Sequence, residues 1–94
     1  MAGTEYGLAV LPAAQKDIRA LPPKIRGQIV RAIDRLLERY RAGERPQDMK
    51  PVEGLPHRYR IDSGEYRILY EDHADRSELL VFRVRHRRDA YRNL

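Results

Sequence analysis

The 94-residue sequence predicts an α+β domain of order β-α-α-β-β-β, with a helical hairpin packed on a mainly antiparallel, four-stranded sheet. One observation is an apolar stripe of helical period between residues 25 and 40. Another is the switch to a period of two after residue 57, which is typical of strands. The length accommodates one hydrophobic core, so residues 1–94 are assigned to a single domain.

The first half predicts a strand followed by two helices. Residues 6–11 (YGLAVL) form a short apolar run, and Pro12 suits the first turn of a helix. The prolines at 22–23 end this helix and begin the next, and Gly43 lies where a glycine commonly follows a helix. The apolar stripe of the second helix comprises Ile25, Ile29, Val30, Ile33, Leu36, Leu37 and Tyr40.

The second half predicts a loop and three strands. Residues 44–56 contain three prolines and a glycine, and are predicted as a loop. Apolar and charged residues then alternate. The alternation places Leu69 in the second of these strands, and Leu79 and Val81 in the last strand, on the same side as the arginines. Residues 88–94 are predicted as a short C-terminal helical turn.

The hairpin between the first two of these strands permits a geometric prediction. A two-residue turn at residues 63–64 places Arg60 directly opposite Arg67, and a shift of one residue would mix apolar and charged side chains on one face. Facing arginines destabilise a sheet unless an anion lies between them, so the pair is suited to binding phosphate. The alternative is that both are solvated and pair with Asp62 or Glu65.

The charge of the chain points to a class of partner. Nineteen Lys and Arg oppose fourteen Asp and Glu, giving a net charge of +5, and only three of the nineteen are lysines. Arginine binds phosphate through two donors and stacks on bases, so the composition favours a nucleic-acid partner. A coding bias towards arginine would give the same composition.

Several classes of function are excluded or disfavoured. The chain has no cysteine, which excludes disulfides, thiolate catalysis and cysteine-based zinc sites. Its three histidines lie far apart, so we predict no metal site, and we expect no cofactor. No apolar run is long enough to span a membrane, and the first residues do not resemble a signal peptide. We therefore expect a soluble cytoplasmic protein.

The C-terminal segment RHRRDAY concentrates groups that can take part in phosphate chemistry. His86 can exchange protons near neutral pH, Arg87 can stabilise developing negative charge, and Tyr91 can stack on a base or donate a proton. The alternatives are a solvated or partner-binding arginine face, an ordinary histidine at a strand end, and a tyrosine that anchors the C-terminus.

Two segments resemble a known family. The motifs YRIDSGEYRILYED (59–72) and LLVFRVRHRRDAY (79–91) resemble the RelE/ParE toxin superfamily, most closely its RelE branch. That branch comprises ribosome-dependent endoribonucleases, or mRNA interferases, of type II toxin–antitoxin systems. The early strand, the segment AQKDIRALP (14–22), the second helix and the segment MKPVEGL (49–55) also fall in the family's order. The resemblance therefore covers nearly the whole chain, and implies that it is a single RelE-like toxin domain.

The resemblance implies an activity. RelE-like toxins cut mRNA in the ribosomal A site, where the ribose 2′-OH attacks the adjacent phosphate, and so inhibit translation. The matching catalytic positions are Arg60, Arg67, Arg87 and Tyr91, and His86 lies where some relatives carry a residue implicated in proton transfer. Asp62 departs from the family, because well-studied members have a basic residue there. We expect further contacts with RNA or the ribosome from Arg58, Arg83, Arg85, Arg88 and Lys50.

The resemblance also implies partners and leaves alternatives open. The expected partners are a cognate RelB-like antitoxin and the ribosomal A site with its mRNA; operator DNA is expected only through the toxin–antitoxin complex, and no membrane is involved. One alternative function is ParE-like, non-nucleolytic inhibition of DNA gyrase. Another is a degenerate toxin that acts only as an antitoxin-binding module. The complete arginine and tyrosine set favours the nuclease.

Overall fold

The chain forms two layers, a mixed sheet and a pair of helices, in a computed structural model that describes residues 5–89. The sheet has five strands in the order β1-β5-β4-β3-β2, in which β1 runs parallel to β5 and the other neighbours are antiparallel. The elements are β1 (Gly7–Val10), α1 (Pro12–Arg19), α2 (Pro23–Arg41), β2 (Lys50–Pro51), β3 (Arg58–Ser63), β4 (Tyr66–His73), a 3₁₀ turn (Ala74–Arg76) and β5 (Glu78–His86). The predicted α+β class and helical hairpin are confirmed.

The fifth strand, β2, lies within the segment predicted as a loop. Lys50 pairs with Arg60 and Pro51 pairs with Tyr59, which places β2 at the edge of the sheet. Proline lacks a backbone N–H and is compatible with an edge strand. The prediction of four strands was therefore one strand short, because a two-residue strand has no periodicity to reveal it.

The helices pack on one face of the sheet. The stripe on α2 buries Ile29, Ile33, Leu36 and Tyr40, as predicted, whereas Val30 is 45% exposed and was wrongly included. From the sheet, the core receives Ile61, Ile68, Tyr70, Leu79, Val81 and Val84. Side chains that alternate with these residues on β3 and β4 lie on the opposite face, which we call the helix-free face.

The β3–β4 hairpin has a different register from the predicted one. Its turn is formed by Gly64 and Glu65, so that Asp62, and not Arg60, pairs with Arg67. Gly64 has a φ of +59°, and a glycine at the first central position of a two-residue turn is the pattern of a type II′ turn. The predicted turn would have put Ser63 at that position, where a positive φ is costly for a residue with a Cβ.

A β-bulge corrects the predicted faces of β5. The β4–β5 register shifts between Leu69 and Tyr70, which leaves Phe82 as an extra residue on β5. Leu79 and Val81 consequently point into the core, and their predicted place on the arginine side was wrong. Leu69 is fully buried but lies outside the helix-facing core cluster.

The predicted C-terminal helical turn falls largely outside the described residues. Residues 87–89 form a turn after β5, and the rest of the predicted segment is not described. Within residues 5–89, neither helix combines the length and the apolar character needed to cross a membrane.

Candidate functional site

Arg60 and Arg67 lie on the helix-free face, on neighbouring strands. Each precedes a buried core residue, Ile61 or Ile68, and so points away from the helices. Their side chains are only 16% and 20% exposed. The cross-strand partner of Arg60 is the fully buried Leu69, and arginine side chains commonly cover apolar surface with their aliphatic stems. Both guanidinium groups are therefore held close to the sheet.

Asp62 brings these two guanidinium groups to a single oxygen. Arg67 Nε donates a hydrogen bond to Asp62 Oδ1 at 3.1 Å, and Arg60 Nη1 lies 3.7 Å from the same atom. The Asp62 side chain is 49% exposed. The alternative pairing with Asp62 that the sequence left open is thus observed, and the two arginines converge on one anionic atom.

Two arginines do face each other directly, one strand away from the predicted pair. Arg85 on β5 is the register partner of Arg67 on β4. Arg85 Nη1 donates to the backbone oxygen of Asp89 at 3.3 Å, whereas its Nε is buried and makes no hydrogen bond within residues 5–89. An anion would relieve the repulsion within such a cross-strand pair. We call Arg60, Arg67 and Arg85 the arginine cluster.

Two other predicted RNA contacts are engaged with carboxylates. Arg58 Nε donates to Glu71 Oε2 at 2.7 Å, and its guanidinium lies 4.7 Å from the centre of the Phe82 ring. Arg83 donates two hydrogen bonds to Asp17 at 2.8 and 3.0 Å, and these hydrogen bonds raise the pKa of Arg83. Both arginines have a structural role within the fold.

The remaining predicted cations lie on β2 and in the turn after β5. Lys50 is exposed and pairs with Arg60 across β2 and β3. Arg87 and Arg88 are exposed in the turn after β5. The backbone N–H of Arg87 donates to the oxygen of Glu65 at 2.8 Å, which places this turn beside the hairpin turn.

His86 is separated from the arginine cluster. It is the last residue of β5 and pairs with Tyr66, whose ring packs edge-on at a centroid distance of 5.3 Å. Tyr66 contacts the core, so His86 points to the helix side of the sheet. Its Nδ1 accepts a hydrogen bond from the backbone N–H of Arg88 at 3.2 Å. Tyr91 lies outside the described residues.

A groove beside Arg60 was not predicted from the sequence. It has a volume of about 890 Å³ and is lined by residues 50–55 and Arg60. The prolines and glycine of this segment indicated only a loop, and nothing in their pattern indicated a concave surface. Within residues 5–89, no cluster of three or more histidines and carboxylates has the arrangement to hold a metal ion.

Comparison with known proteins identifies the family. Residues 8–91 match the family described as the ParE toxin of type II toxin-antitoxin system, parDE. No curated protein matches the sequence significantly. The chain is similar to the RelBE2 toxin–antitoxin complex of Mycobacterium tuberculosis, with 25% identity and a TM-score of 0.72 over 88% of this chain and 99% of that chain.

Two further structures extend the similarity. The intact RelBE toxin–antitoxin complex of E. coli is 27% identical, with a TM-score of 0.69 over 85% of this chain and 94% of that chain. The RelB-RelE antitoxin–toxin complex of Methanococcus jannaschii is also 27% identical, with a TM-score of 0.69 over 90% of this chain and 96% of that chain. The chain therefore belongs to the RelE/ParE superfamily of type II toxin–antitoxin toxins, with a structure of the RelE branch.

Proposed function

We propose that this toxin is a ribosome-dependent endoribonuclease that cuts mRNA in the A site and so inhibits translation. The observation that carries the proposal is the convergence of Arg60 and Arg67 on one carboxylate oxygen, with Arg85 opposite Arg67. An RNA phosphate oxygen can take the position of Asp62 Oδ1. Charge-assisted hydrogen bonds from arginine are among the strongest that a phosphate accepts.

The arginine cluster would stabilise the transition state. Attack by the ribose 2′-OH on the phosphorus adds negative charge to the oxygens of the phosphorane while the 5′-oxygen leaves. Donors that are already held in place by the sheet need no reorganisation as this charge develops. The cluster would therefore bind the transition state more strongly than the substrate, which is the condition for catalysis.

Proton transfer is proposed for the C-terminal segment. The 2′-OH must lose a proton and the 5′-oxygen must gain one. His86 and Tyr91 are the proposed groups, with Arg87 adding positive charge. Because His86 lies on the helix side of the sheet, its participation requires the RNA to pass the end of β5, where the turn at residues 87–89 meets the hairpin turn.

The proposed partners follow from the similar structures and from the charge of the chain. The similar structures from M. tuberculosis, E. coli and M. jannaschii are complexes of toxin with antitoxin. We propose that this chain binds a cognate RelB-like antitoxin, and operator DNA only within that complex. An acidic antitoxin segment would complement the net charge of +5.

Inhibition of DNA gyrase is the second candidate. The matched family is described by a ParE toxin, which favours this function. Asp62 favours it too, because its carboxylate offsets part of the positive charge of Arg60 and Arg67. A toxin that acts only by binding would tolerate such an offset better than a phosphate-cleaving enzyme.

Purified ribosomes loaded with a defined mRNA distinguish the two functions. We expect the wild-type chain to cut the A-site codon and to leave the same RNA intact without ribosomes. Arg67→Ala should slow the cleavage by at least about a hundredfold, because one charged donor to a transition state contributes about that much. Intact mRNA together with inhibited gyrase supercoiling by the same preparation would contradict the proposal.

A further inference from the structure

The groove beside Arg60 opens next to the arginine cluster. Lys50 and Arg60 both line it, and they are cross-strand partners, so their side chains start from the same face of the sheet. Arg60 also lies 3.7 Å from Asp62 Oδ1. Arg60 therefore belongs both to the arginine cluster and to the wall of the groove. A ligand whose anionic group replaces that oxygen would contact Arg60 and could extend from there into the groove.

The rest of the groove differs chemically from the arginine cluster. Pro51, which is exposed, and Leu55, which is half-buried, give it an apolar wall, and Val52, at 3% exposed, lies behind them. Gly54 turns the backbone with a φ of +78°, and the space within 4 Å of the position that a Cβ would take there is open. Glu53 adds a hydrogen-bond acceptor. An apolar wall with two cations on one side fits a flat, partly apolar group that carries an anion.

The size of the groove fits the same kind of ligand. Sites of a few hundred to about a thousand Å³ hold small organic molecules, and a nucleotide falls within that range. The volume of about 890 Å³ is ample for one base with its ribose. Inorganic phosphate alone would leave the apolar wall exposed to water.

We propose that this groove binds the base of a nucleotide directly adjacent to the phosphate held by the arginine cluster. Arg60 contacts the phosphate side, Pro51 and Leu55 pack against the base, and Glu53 accepts a hydrogen bond from a base amino group. The proposal deepens the proposed function and rests on it, because it assigns part of the RNA substrate to a defined surface. It also makes this loop a source of sequence preference at one position of the codon.

The test is a titration of the 94-residue chain with three small probes, monitored by NMR. These are 5′-AMP, 3′-AMP and ribose 5-phosphate, which lacks the base. The AMP isomer that binds more tightly should have a Kd about tenfold lower than that of ribose 5-phosphate, because burying one face of the base removes apolar surface from water. The largest shifts that are specific to AMP should fall on residues 50–55.

A variant separates the base from the phosphate. Leu55→Ser should abolish the tenfold advantage of AMP and leave the Kd of ribose 5-phosphate unchanged. The matched control is Val30→Ser, which shortens an exposed apolar side chain on α2 and should preserve the advantage. Equal affinities of the wild-type chain for AMP and ribose 5-phosphate would overturn the proposal, and so would AMP-specific shifts confined to residues outside the groove.

The titration needs neither ribosomes nor RNA cleavage. A preference for AMP that depends on Leu55, in a toxin that leaves ribosome-bound mRNA intact, would support the base site and contradict the nuclease. Cleavage of mRNA by a toxin with no preference for AMP would support the nuclease and contradict the base site.

Discussion

Arg67 Nε donates a hydrogen bond to Asp62 Oδ1 at 3.1 Å, and the two residues are direct cross-strand partners in the β3–β4 hairpin. The same oxygen lies 3.7 Å from Arg60 Nη1, so one carboxylate holds two guanidinium groups together. Asp62 thus orients the arginines for an anion and at the same time competes with it. A substrate phosphate must displace this carboxylate to contact both arginines.

Removing the charge of Asp62 should strengthen RNA binding. Asp62→Asn keeps the size of the side chain but removes the negative charge with which it competes for Arg60 and Arg67. Because the carboxylate is half-exposed, its ion pairs are weak, and we expect the Kd for a labelled single-stranded RNA to fall about two- to fivefold at moderate salt. Fluorescence anisotropy measures this Kd.

The control for this substitution is Asp34→Asn, which makes the same charge change at an exposed position of α2. It should alter the Kd much less, since exposed charges farther apart than about 8 Å are largely screened at physiological salt. Equal effects of the two substitutions would mean that net charge, and not the position of Asp62, controls binding.

Asp17 ties α1 to the sheet, and its loss should destabilise the fold. Its carboxylate accepts two hydrogen bonds from Arg83 and one from the backbone N–H of Val84 at 2.9 Å. Asp17→Ala leaves these donors without their acceptor, so the free energy of unfolding should fall by about 1–3 kcal/mol. Urea denaturation measures it. Asp34→Ala, at an exposed helix position, should cost well under 1 kcal/mol; a similar loss in both variants would refute the role of Asp17.

Glu71 should make stability depend on pH in the acid range. Burial by itself would raise the pKa of Glu71, but its hydrogen bonds with His73 and Arg58 outweigh burial and lower the pKa below the ordinary 4.5. The native carboxylate therefore stays ionised to lower pH than the unfolded one. Its contribution is complete above pH 4.5 and is lost as the pH falls through the native pKa.

The measurement is the urea midpoint as a function of pH. The difference between wild type and Glu71→Gln should be constant above about pH 5 and should shrink as the pH falls below about 4.5. Glu38→Gln, at an exposed position of α2, is the control and should track wild type throughout. A difference between wild type and Glu71→Gln that stays constant down to pH 3 would show that the Glu71 carboxylate does not titrate as its contacts imply.

The helical layer could be predicted from the sequence because its signal is local. A period of 3.6 identifies the buried residues of α2 without reference to any other element. Val30 was misplaced because it directly follows Ile29 and lies about 100° further around the helix, outside the buried stripe. β2 escaped detection because two residues are too few for any period.

The details of the arginine cluster could not be predicted, because they depend on pairing between strands. Changing the hairpin turn from residues 63–64 to Gly64 and Glu65 moves each partner by two positions, which leaves every side chain on the same face. The hydrophobic pattern is therefore identical in both registers and cannot distinguish Asp62 from Arg60 as the partner of Arg67. The bulge at Phe82 could not be predicted either, because it depends on how β5 pairs with β4.

The most direct test of the account is to map mRNA 5′ ends in cells after brief induction of the toxin. We compare wild type with Arg67→Ala, and use Arg31→Ala, which removes an exposed arginine from α2, as the control. Wild type and Arg31→Ala should produce new 5′ ends within translated codons, and Arg67→Ala should produce few or none while remaining folded. Growth arrest by the wild-type toxin with intact transcripts, or undiminished cleavage by Arg67→Ala, would contradict the claim that the arginine cluster holds the scissile phosphate.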